Sequence, residues 1–74
     1  MQWEAKTPDS NGKYGAIETD DYYSGGQFSF TAYRVYVYDR NGKNICDGMQ
    51  DTFEFAVEQA EEYGIPRAAW KQVD

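Results

Sequence analysis

Along this chain the apolar residues first recur every second position and then, beyond Asp51, at helical spacing. Gln2 to Thr7 alternates, with Trp3 and Ala5 on one face and Glu4 and Lys6 on the other, which is the pattern of a short strand. Pro8-Asp9-Ser10-Asn11-Gly12 is a cluster of turn formers, and its Asn-Gly pair signals a hairpin. Tyr14 to Thr19 reads as the returning strand, weakened by Gly15, and Asp20 to Gly26 reads as a loop by composition.

Phe28 to Asp39 is the strongest β segment, dense in aromatic and β-branched residues. One face holds Phe28, Phe30, Ala32, Arg34, Tyr36 and Tyr38, and the other holds Ser29, Thr31, Tyr33, Val35 and Val37. The apolar phase slips near Thr31 to Tyr33, which predicts a bulge or bend there. Asp39-Arg40-Asn41-Gly42-Lys43 predicts a second hairpin, with Lys43 to Asp47 returning and Asn41-Gly42 supplying positive φ angles.

Helical spacing runs from Asp51 to Tyr63, with Phe53, Ala56, Val57, Ala60 and Tyr63 as the buried stripe. Asp51 is placed as an N-cap, and Glu54 three residues later completes a capping box. Gly64 suits the left-handed position that ends a helix, Ile65 closes back onto Ala60, and Pro66 prevents continuation. Arg67 to Asp74 leaves a final edge strand and a short second helix both open. With no repeat, linker or low-complexity segment, residues 1–74 read as one domain. Its expected class is α+β: an antiparallel sheet of four to five strands from two hairpins, with one helix packed on one face.

Composition narrows the core. Seven Tyr, four Phe and two Trp accompany a complete lack of Leu, so aromatic packing with Ala as filler is expected. A lone cysteine, Cys46, rules out an internal disulfide, fits a reducing compartment and reads as a buried structural thiol beside Asp47. No apolar run reaches membrane-spanning length and the N-terminus has no secretion signal, so a cytoplasmic location is expected, in the host cell if the chain is phage-encoded.

Charge adds a functional pointer. The formal net charge of -6 argues against direct contact with nucleic acid or an anionic membrane and in favour of a basic protein partner. From Asn44 to Pro66 there is no Lys or Arg, and Glu54, Glu58, Glu61 and Glu62 fall on one helix face. Like charges one turn apart cost a few tenths of a kcal/mol per pair, roughly. Acids in the last turn also oppose the helix dipole. A solvated face ordinarily mixes its signs, so a negative patch shaped for a positive partner is the functional alternative to a face that serves only solubility.

Enzymatic chemistry has few residues to work with. Without histidine there is no Ser-His or Cys-His pair and no imidazole metal ligand, so no catalytic residue, metal or cofactor is expected. Gly25-Gly26 follows no strand and precedes no Gly-Lys-Ser/Thr, and Val37 stands where a calcium loop would begin with an acid. Binding residues are better represented. Asp20-Asp21-Tyr22-Tyr23-Ser24-Gly25-Gly26 has the Tyr, Ser and Gly composition of binding loops, against the plain alternative of a loop with one Tyr folded over the sheet edge. If Val35 and Val37 pack under the helix, Arg34, Tyr36 and Tyr38 form a stripe on the opposite face, suited to a protein partner or to a second copy.

The brevity, the acidity, the lone cysteine, the Tyr33-Arg-Val-Tyr-Val-Tyr38 strand, the Asn41-Gly42 turn and the Tyr63-Gly64-Ile65-Pro66 helix ending together resemble small phage-encoded inhibitors of the anti-CRISPR kind. The resemblance is one of type over the whole chain, and no functional residue carries over from it. It implies a non-enzymatic inhibitor that mimics nucleic acid and blocks the guide- or target-binding surface of a CRISPR effector complex. The alternative expectation is an accessory or structural module that homodimerises through the Tyr-rich sheet face.

Overall fold

A computed structural model describes residues 1–74. Strands β1 (Gln2–Ala5), β2 (Tyr14–Ser24), β3 (Gln27–Tyr38) and β4 (Asn44–Gln50) are followed by helix α1 (Phe53–Glu62), a 3-10 turn at Arg67–Ala69 and strand β5 (Lys71–Gln72). They form one antiparallel five-stranded sheet in the order β4-β3-β2-β1-β5, with α1 packed against β3 and β4, so the α+β class stands. The C-terminal segment combines both open alternatives: one 3-10 turn, then an edge strand on β1.

One sheet face is covered. Ala5, Ile17, Val35, Val37 and Cys46 meet Ala56, Val57 and Ala60 of α1, with Ile65 and Ala69 closing the cluster. Each fully buried Val or Ile contributes about 1.5–3 kcal/mol through burial. The expected aromatic core is corrected here: the centre is aliphatic and Ala-based, and the aromatics frame it. Trp3, Tyr33 and Phe53 pack at one end, with Trp3 and Phe53 centroids 4.6 Å apart. At the other end Trp70 lies over Gly15, where an added Cβ would sit 2.7 Å from the indole. The glycine that weakens β2 by propensity is what lets that indole seat.

Three local expectations change. Asp20 to Gly26 is not a loop, because β2 runs on to Ser24 and pairs with β3 through a two-residue turn at Gly25-Gly26. Both glycines have positive φ (60° and 82°), the turn geometry that matches strand twist. The main register shift in β3 lies opposite Tyr22/Tyr23, around Ser29, rather than at Thr31 to Tyr33. At the second turn only Gly42 has positive φ; Asp39 Oδ1 accepts the Asn41 and Lys43 N–H groups, both at 2.9 Å, and orders the preceding residues instead.

Helix α1 is capped by Thr52, one residue after Asp51, with Thr52 Oγ1 accepting the Phe55 N–H at 3.1 Å. The Asp51–Glu54 capping box is therefore not formed. The C-terminal end follows its signals: Ile65 N–H reaches Ala60 O at 3.1 Å and Gly64 N–H reaches Glu61 O at 3.0 Å, with Gly64 at φ +96°. No helix is long and apolar enough to cross a membrane.

This topology leaves a projection. β1 pairs with β2 only over Gly15–Glu18, and β4 pairs with β3 only over Tyr33–Tyr38. Beyond them the β2–β3 hairpin continues as a two-stranded ribbon with both edges free. The ribbon draws the molecule out to 43 × 20 × 18 Å.

Candidate functional site

The acidic helix face is divided rather than continuous. From the 3-10 turn, Arg67 folds back across α1, with Nη1 2.6 Å from Glu54 Oε2 and Nη2 3.1 Å from Glu61 Oε1. Those carboxylates push the Arg67 guanidinium further into its charged form. The helix penalty inferred from sequence is thus partly offset by the first residue past Pro66. Glu58 and Glu62 have no ion pair. One turn apart, they line a shallow groove of about 310 Å³ with exposed Phe55, and Gln50 and Gln59 join across it by a 2.7 Å hydrogen bond.

Asp20, Asp21, Tyr22 and Tyr23 come together on the ribbon. Asp20 Oδ2 is 3.3 Å from Arg34 Nη1, and Asp21 Oδ1 accepts the Thr31 hydroxyl at 2.7 Å. Tyr22 stacks on Phe30 with centroids 4.9 Å apart and points its hydroxyl at Met49 Sδ. Tyr23 meets Phe28 edge-on at 6.1 Å. Since the register slips between the two pairs, aromatics stand on both ribbon faces. Tyr23, Phe28, Phe30 and Met49 are 65, 60, 47 and 55% exposed, a concentration of bare apolar surface in a chain this small. Phe28, Phe30 and Met49 were missed by the loop reading; two clustered glycines between alternating aromatics were the signal.

Tyr36 and Tyr38 do lie on the face opposite α1, as the register of Val35 and Val37 requires. They are half-buried, because Tyr38 leans on Tyr14 across the strand pair (centroids 6.0 Å) and Tyr36 lies opposite Ala16. The Tyr14 hydroxyl donates to Glu4 Oε1 at 3.0 Å, and Glu4 pairs with Lys6 at 3.1 Å. These contacts hold the Glu4 carboxyl below its usual range, chiefly through Lys6 and then Tyr14. Burial first, then Glu4, pushes Tyr14 upward.

Cys46 is buried, and burial, then the Asp47 and Glu62 carboxylates, push its thiol up and keep it protonated. No group of three or more Cys, Asp or Glu side chains is arranged to hold a metal ion. The surface offers carboxylates for a cation and rings for an apolar or cationic face. Set against known proteins, the chain matches no family model, no curated protein and no solved structure.

Proposed function

We propose that this chain is a non-enzymatic binding protein whose acidic and aromatic surface occupies the basic, nucleic-acid-holding surface of a protein complex. A CRISPR effector is the partner class that the resemblance to phage-encoded inhibitors implies. The observation that carries the proposal is the ribbon: a slender two-stranded projection with Tyr22, Tyr23, Phe28 and Phe30 around Asp20 and Asp21. Rigid aromatics are the residues that dominate protein interfaces. The unpaired Glu58 and Glu62 supply the charge, spaced about 5–6 Å apart as neighbours on a helix, near enough to stand in for phosphates. Long-range attraction between such carboxylates and a basic groove speeds encounter and fades with salt.

A purified effector–guide complex with labelled target strand tests this by gel mobility. Wild-type protein is expected to release the target strand at low salt and progressively less as salt rises. Glu58→Lys with Glu62→Lys should weaken the effect about tenfold or more, and Tyr23→Ala with Phe28→Ala should abolish it. Target strand retained at every protein concentration, across effectors of each class, would sink the reading.

The uncovered sheet face supports a second reading, homodimerisation through Tyr36, Tyr38 and their neighbours. That reading requires a mass that rises with concentration and falls back in Tyr36→Ala, measured by sedimentation equilibrium.

A further inference from the structure

The end of the molecule opposite the ribbon has the contrary charge. Lys6, Lys13, Arg40 and Lys43, four of the seven basic residues, all lie in the β1–β2 and β3–β4 connections. Between these connections is a shallow, open cleft of about 460 Å³. Lys6, Lys13 and Arg40 line it, with Asp39 as its only acid, so the lining carries three positive charges and one negative in a chain of net charge -6.

The negative charge is already engaged. Asp39 Oδ1 accepts two backbone N–H groups of its own turn. Arg40, by contrast, has no carboxylate partner, although the chain holds 13 acids. Its guanidinium crosses from one connection to the other and rests over Gly12, where an added Cβ would lie 3.2 Å from Nη2. Gly12, at φ +83°, supplies both the turn and the room for that crossing. An exposed arginine that lies against the facing turn and lacks an acid presents a planar set of donors, the geometry that suits phosphate oxygens. The wall beside it is aromatic: Tyr14 and Tyr38, with centroids 6.0 Å apart, both line the cleft.

We infer that this cleft binds a nucleoside phosphate, with the phosphate on Arg40 and the base against Tyr38 and Tyr14. Lys13, whose ammonium lies against Gly64 at the end of α1, adds charge only from the rim. Tyrosine faces accept any base, so stacking gives affinity without sequence preference. Lys6 contributes less, being shared with Glu4. The same chemistry is offered by a free nucleotide and by the phosphorylated end of a strand. No residue is shared with the acidic and aromatic surface, and Tyr38 enters only the dimer reading, so the inference stands or falls separately from the proposed function.

Amide chemical-shift titration of the intact protein tests it with four probes: AMP, adenosine, inorganic phosphate and a 5′-phosphorylated tetranucleotide. AMP is expected to give saturable shifts confined to Gly12, Tyr14, Tyr38, Arg40 and their neighbours, with adenosine and phosphate alone each about tenfold weaker or more. Arg40→Gln, an exposed turn substitution, should weaken AMP by a similar factor while leaving the melting temperature unchanged. If that variant melts early, Arg40→Lys, which keeps the charge but loses the planar fork, takes its place and should also weaken AMP. Tighter binding of the tetranucleotide than of AMP would identify a strand end as the natural source, and the reverse a free nucleotide. Adenosine binding as well as AMP, shifts scattered elsewhere, or no saturation by either phosphorylated probe up to about 10 mM would overturn the inference.

Discussion

Gly15 and Gly48 both lie on the covered sheet face, yet they differ in what an added methyl would meet. At Gly15 the obstacle is the Trp70 indole, packed against the core, and at Gly48 it is the far end of the Gln59 side chain. A ring that cannot swing aside forces backbone shifts, whereas an amide can rotate away. Gly15→Ala is therefore expected to cost about 1–3 kcal/mol, as overpacking does. Gly48→Ala should cost clearly less, and urea unfolding followed by tryptophan fluorescence reads both. Equal losses would mean that Trp70 is not the rigid stop described. The titrating residues set a second expectation. Tyr14 and Cys46 are acids raised above their ordinary values of 10.0 and 9.0, chiefly by burial. Their stabilisation is complete below those values and is lost as pH climbs through the folded ones. Glu4 and Asp74 are carboxyls lowered from 4.5 and 3.8, so theirs is present above those values and lost as pH falls through the folded ones. The urea midpoint should then be flat between about pH 5 and about pH 8 and decline on both sides. Tyr14→Phe should soften both limbs at once, because it removes a phenol and one of the hydrogen bonds to Glu4. Limbs identical to wild type would show that the pair does not govern either.

At the scale of elements, the helix separates two rules that the sequence could not rank. Asp51 and Thr52 are adjacent, and both are good caps; Asp51 gained favour through Glu54, three residues on. The structure selects Thr52, since starting at Phe53 brings Ala56, Val57 and Ala60 under the sheet. Thr52→Ala should cost about 1 kcal/mol and Asp51→Ala only a few tenths, measurable as paired urea midpoints. The reverse order would restore the sequence reading. The helix end was legible because Gly64, Ile65 and Pro66 act through the backbone, within a few residues of one another. By contrast, the Arg67 bridge to Glu54 and Glu61 depends on where the chain goes after Pro66, which spacing along α1 does not encode. The ribbon was hidden for a related reason. Asp, Ser and Gly weigh against a strand by propensity, and only pairing with Phe28 to Thr31 across the turn overrides them. The fold was thus readable where local chemistry decides it. The candidate surface was readable in its residues but not in their grouping: the glutamates separate, and the tyrosines gain Phe28, Phe30 and Met49.

At the scale of the molecule, the core and the aromatic ribbon occupy different parts of the chain, whereas Glu58 and Glu62 stand on the outer face of the helix whose inner face is core. The core cluster draws on β1, the proximal halves of β2 and β3, β4, α1 and the C-terminal segment, and includes nothing from Asp20 to Thr31. The distal ribbon has one turn, free edges and bare rings, the features of a segment that opens locally at little cost. Its amides, from Tyr22 to Phe30, should exchange with solvent far sooner than those of Ile17, Val35 and Val37 when followed by hydrogen exchange. A variant lacking Tyr22, Tyr23 and Phe28 to Phe30, with Asp21 joined to Ser24 and Gln27 to Thr31, tests the division directly. Because the turn and the Asp21–Thr31 pair remain, the proximal sheet keeps its closure. The near-ultraviolet signal of Trp3 and Trp70, both packed against the core, should persist with a cooperative melt, while release of target strand by the protein is lost. Collapse of the fold would show that the ribbon is a structural strut. Retained release by a folded, shortened chain would move the working surface to Glu58, Glu62 and Phe55.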